Sequence, residues 1–107
     1  MSELQNNAVA LVTQTEGKLD NLSPKDRSAT FLEKALSLYF AIGGNAADVQ
    51  KLIEKRKSAS PDRIENVIAG VLVELGAVSH LSDIDMVQAT HNRFDAELKV
   101  RSPRTVR

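Results

Sequence analysis

Cysteine is absent from this chain. That one absence removes disulfides, thiolate nucleophiles and finger-type zinc sites, so any metal would have to be held by carboxylates or histidines. It is also compatible with a reducing compartment. Net charge is missing too: fourteen basic residues balance fourteen acidic ones. Nothing in the charge therefore points to nucleic acid, an anionic membrane or a polyanionic substrate. Aromatic residues are few, three Phe and one Tyr, and none interrupts the basic run Lys51 to Arg63. That run reads as a solvated helix face rather than a phosphate-binding surface. The opening MSELQNNAVALV has no basic leader and no long apolar run, which predicts no signal peptide, no membrane span and a soluble, cytoplasmic protein. Neither strand-like alternation nor an internal repeat is visible. A chain of 107 residues is long enough for a single small core and little more.

What the chain does have is one long apolar stretch, Ser60 to Leu81. Ser60 is placed to cap and Pro61 suits a first helical position. Ile64, Val67, Ile68, Val71, Leu72 and Leu75 then recur at the three-and-four spacing of one helix face. Val73 and Val78 widen that face until most of the circumference is apolar, which predicts a buried central helix with neighbours on several sides. Gly70 lies at its middle, where glycine costs about 1 kcal/mol relative to alanine. Either a neighbouring backbone comes close there or a larger residue has been lost.

The other helices follow in order. Glu3 to about Glu16 places Leu4, Ala8, Leu11 and Val12 on one side and ends near Gly17. Ser23, Pro24 and Asp26 have the spacing of a capping box and should open a second helix. From Phe31 to Ile42 that helix is apolar on nearly all sides before Gly43 and Gly44 stop it, which makes it the natural partner of the central helix. Asn45 caps a third helix with Asp48 in its first turn, Val49, Leu52 and Ile53 on one face and Lys51, Lys55, Arg56 and Lys57 crowding its end. Ser82 and Asp85 mark the start of a fifth, which runs to about Lys99 with the stripe Ile84, Val87, His91, Phe94 and Leu98. Short connections suit antiparallel neighbours. The expectation is an all-α fold, a small four- to five-helix bundle forming a single domain over 1–100, with a flexible basic tail at 101–107.

Chemistry-bearing constellations are sparse. No serine sits in a glycine-rich elbow beside a histidine, and Gly43-Gly44-Asn45 has neither the lysine nor the spacing of a P-loop. His91, on an apolar stripe with no second histidine at helical spacing, reads as a packing residue. The pairs Asp62 with Glu65 and Asp83 with Asp85 stand near helix starts, where acids favour the dipole. Glu74 differs, because it shares a stripe with Val67 and Gly70 and is expected to point into the bundle. A buried carboxylate needs a partner, and Lys34 on the second helix is the candidate.

Taken together, Phe31-Leu32-Glu33-Lys34-Ala35-Leu36-Ser37-Leu38, then Gly43-Gly44-Asn45 with a short helix, then Val67 to Val73, then Ile84-Asp85-Met86 resemble the MazG-like all-α nucleoside triphosphate pyrophosphohydrolases. The likeness covers roughly Arg27 to Leu98 and is nearest to phage and proteobacterial members. The resemblance implies a motif E-E-x-x-E on one helix and E-x-x-D on the next, whose carboxylates converge on magnesium. Residues three apart share a helix face, and oxygen donors suit a hard cation that neutralises a triphosphate and activates water. Here the ligand positions fall on Lys34, Ser37, Val67 and Gly70, and only the leading Glu33 survives. A magnesium site cannot be built from those four. The resemblance also implies phosphate contacts from the last helix, at Asn92 and Arg93, and pairing of chains into a homodimer.

Three readings follow. The leading one is a non-catalytic dimeric module that has lost its magnesium centre and binds a nucleotide or a protein, with no cofactor. The second is an active pyrophosphohydrolase with a displaced magnesium site drawing on Glu33, Glu74 and Asp62 or Glu65, with Lys34, Asn92 and Arg93 toward the substrate. The third is a plain helical interaction domain. None of the three involves nucleic acid or a membrane.

Overall fold

The computed structural model describes residues 1–98, and among them every regular element is helical. The all-α expectation holds, with five helices: α1 Glu3–Glu16, α2 Ser28–Ala41, α3 Ala46–Lys57, α4 Ile64–Leu81 and α5 Met86–Glu97. The expected tail at 101–107 lies outside the described residues. The described residues form two compact units, one of Met1–Asn21 with residues 63–98, the other Leu22–Asp62.

In the first unit, Ser2 caps α1 by accepting a hydrogen bond from the Gln5 amide at 3.1 Å, and Gly17 ends it at a φ of 100°. α1 packs on α5, and the Gln14 side chain donates to the Glu97 carbonyl at 2.7 Å. The buried residues are Phe94 at 3% and Leu98 at 4% exposure, both from the expected fifth stripe. The half-buried face of α1 includes Leu4, Leu11 and Val12 as expected, but takes in Asn7 where Ala8 was expected, and Ala8 is exposed. Packing thus draws in an asparagine, and its Nδ2 has no hydrogen-bond partner.

α4 departs most from expectation. The apolar circumference predicts burial, yet no residue of α4 is buried. Only Leu75, Gly76, Val78 and Ser79 are half-buried, in the half of the helix from which the chain turns into α5. The helix also starts later than predicted, at Ile64 with Arg63 as its cap residue. Pro61, Asp62 and Arg63 precede it, and the Val67 amide returns to the Arg63 carbonyl at 3.2 Å. By length and composition alone α4 could cross a membrane; mostly buried core helices pass the same test, but none of this helix is buried.

In the second unit the Ser23 box forms, with the Asp26 carboxylate accepting from the Ser23 amide at 2.8 Å. It opens a 3₁₀ turn, Pro24–Arg27, rather than the α-helix itself, which begins at Ser28. At the other end of α2, Gly43 takes a φ of 105° and the Gly44 amide returns to the Tyr39 carbonyl at 2.9 Å, closing a Schellman turn. A Cβ on Gly44 would collide with the Tyr39 ring, whose hydroxyl donates to the Asn45 carbonyl at 3.1 Å. Asn45 Oδ1 in turn accepts from the Asp48 amide at 2.9 Å and starts α3 as expected.

Candidate functional site

Glu33 and Lys34 stand on α2, both exposed, and Ser37 one turn on donates its hydroxyl to the Glu33 carbonyl at 3.0 Å. That bond ties Ser37 to its own helix. Glu74, Asn92 and Arg93 belong to the first unit, on α4 and α5, so Glu33 and Glu74 fall in different units. Glu74 is exposed rather than directed into a core. Its carboxylate stays hydrated, and the reason for seeking a buried cation such as Lys34 disappears.

The α5 pair is engaged along its own helix. Asn92 Oδ1 accepts from Gln88 Nε2 at 2.9 Å, and Arg93 Nε donates to Glu97 Oε2 at 3.0 Å. Both are four-residue surface pairs, worth a few tenths of a kcal/mol each. His91 is half-buried with its ring edge-on to Phe94, centroids 5.8 Å apart, which is the packing role expected of it. Glu65 pairs with Arg63 at 2.5 Å across the first turn of α4. Among the described residues no group of three or more His, Asp or Glu side chains is gathered as a metal site.

The remaining positions where the resemblance expects magnesium ligands are Val67 and Gly70. Val67 is exposed, and a Cβ built on Gly70 meets no atom within 4 Å. Among the described residues no neighbouring backbone explains that glycine. The space a longer side chain would take is open.

The feature that sequence reasoning missed is apolar exposure. Phe31, Leu32, Phe40 and Ile42 of the second unit are exposed, and so are Ile64, Ile68 and Leu72 of the first. The signal was present in the all-round apolar pattern of both helices, but the same pattern describes a core helix and an association surface equally well. No family model, curated protein or solved structure matches the chain.

Proposed function

We propose that this chain is a non-catalytic helical module of MazG-like descent that acts as a homodimer and works by binding protein rather than turning over nucleotides. The observation that carries the reading is the apolar surface left exposed on α4, at Ile64, Ile68 and Leu72. A monomer rarely leaves a contiguous apolar patch of this kind uncovered, because covering it contributes about 25 cal/mol per Å².

The former ligand positions support the non-catalytic part. Lys34, Ser37, Val67 and Gly70 include no carboxylate, and a hard divalent cation needs several oxygen donors converging on one point. Asn92 and Arg93 pair with Gln88 and Glu97 along their own helix. The test is incubation with a panel of nucleoside triphosphates and magnesium or manganese, alongside light scattering to determine the mass. A dimer that releases no pyrophosphate is expected. Pyrophosphate release that disappears in a Glu33→Ala, Glu74→Ala double variant would instead establish the displaced-site enzyme.

A further inference from the structure

The basic run Lys51 to Arg63 lies in the longest exposed stretch of the described chain. From Gln50 to Glu74 no residue is even half-buried. The run begins on α3, whose last turn carries Lys55, Arg56 and Lys57, and it continues through 58–63, which is not helical.

The bonds that hold α3 are local. Asn45 Oδ1 accepts from the Asp48 amide at 2.9 Å, and the Ser58 hydroxyl donates to the Glu54 and Lys55 carbonyls at 3.4 and 3.3 Å. Lys57 and Glu54 pair at 3.6 Å with both side chains in solvent, where such a pair contributes little. A helix of 12 residues without a buried face is marginal in water. It therefore opens far more often than an element that carries buried side chains.

We infer that this run is a processing site, where an endopeptidase specific for Lys or Arg severs the chain, and that the cut parts α1 from α5. In the reaction water adds to the carbonyl carbon of the basic residue and the C–N bond to the next residue breaks, leaving a carboxylate and an ammonium. Such an enzyme holds the basic side chain in a pocket lined by a carboxylate and needs several residues of extended chain on either side. The basic run supplies both once α3 opens. Other basic residues sit in tighter places: Lys18 precedes half-buried Leu19, Arg27 is itself half-buried, and Arg93 precedes buried Phe94.

The consequence follows from the order of the chain. In the first unit α1 packs on α5, with Phe94 and Leu98 buried and Gln14 bonded to the Glu97 carbonyl. The basic run lies between α1 and α5 in sequence. While the chain is whole, the two helices meet within one molecule at an effective concentration on the order of millimolar. A cut makes the contact bimolecular, and so small a contact does not hold two pieces together at micromolar protein.

The experiment is limited digestion of the full chain with trypsin, followed by intact mass and by size-exclusion chromatography without denaturant. The first cut within residues 1–98 should fall after Lys51, Lys55, Arg56, Lys57 or Arg63, and the two pieces should elute apart. Changing all five to Gln should slow that first cut at least tenfold while circular dichroism shows unchanged helix content. Asn45→Ala removes the cap at the far end of α3 and should quicken the cut about fivefold, the change that a lost cap makes in a helix-opening equilibrium.

A first cut after Lys18, Lys25, Arg27, Lys34 or Arg93, or no cut at all within residues 1–98, overturns the site. Pieces that elute together overturn the parting of α1 from α5. An Asn45→Ala variant cut no faster than the parent overturns cleavage through opening of α3.

Discussion

Asp83 shows how much one residue's backbone can tell. It follows α4 with a φ of 57°, and the amides of Asp83 and Ile84 return to the carbonyls of His80 and Ser79 at 3.1 and 2.8 Å. This is the turn that Gly43 makes after α2, here made without glycine. Because a side chain in the left-handed region costs free energy that glycine does not pay, Asp83→Gly should stabilise the chain by up to about 1 kcal/mol. Urea unfolding at fixed protein concentration measures it, and a loss of stability would show that the Asp83 side chain holds the turn. Gly44 makes the opposite point, since the Tyr39 ring occupies the space its Cβ would need. Neither requirement is visible in composition. The positive φ follows from hydrogen bonds across the turn, and the ring contact from a side-chain rotamer. Glu74 and Ala8 belong with them: helical spacing placed each on an inward face, but the extent of a face depends on what packs against it.

At the scale of elements the chain was largely legible, because helix ends are made by local chemistry. Gly17, Asn45 and Gly43 act where their residue types predict. The exceptions lie where two signals stood close together. Ser82 and Asp85 have the spacing of a capping box, yet Asp85 is itself the cap, with Oδ1 accepting from the Gln88 amide at 2.9 Å, while Ser82 finishes α4. Asp85→Ala should therefore cost about 1 kcal/mol of stability, and Ser82→Ala less than about 0.5 kcal/mol. Denaturant titration of the two variants decides between the assignments, and the reverse order would restore Ser82 as the cap. In the same way, Pro24 and Asp26 correctly announced a helical start but produced a 3₁₀ turn first. The box fixes one turn of backbone, and the α-helix begins where that turn ends, at Ser28.

For the whole molecule, the apolar side chains exposed on α4 make association a measurable question of stability. If dimerisation covers them, a tenfold rise in protein concentration adds about 1.4 kcal/mol per mole of dimer and should raise Tm by several degrees. Calorimetry from low to high micromolar protein checks this; a Tm independent of concentration would show that the fold does not depend on a second copy. The candidate site was legible only as a loss. That Lys34, Ser37, Val67 and Gly70, the positions where the resemblance expects ligands, carry no carboxylate is plain from residue type alone. The exposure of Ile64, Ile68 and Leu72 was not decided by their spacing, which suits a core helix as well as an open face. What the amino-acid sequence determined by itself was the helical class, most of the caps and the lack of thiol chemistry, because each depends on residues within a turn of one another or on residue type alone. Which apolar faces are covered and which stand open was decided by tertiary structure, because burial depends on contacts between helices far apart in the chain, which periodicity along a single helix does not specify.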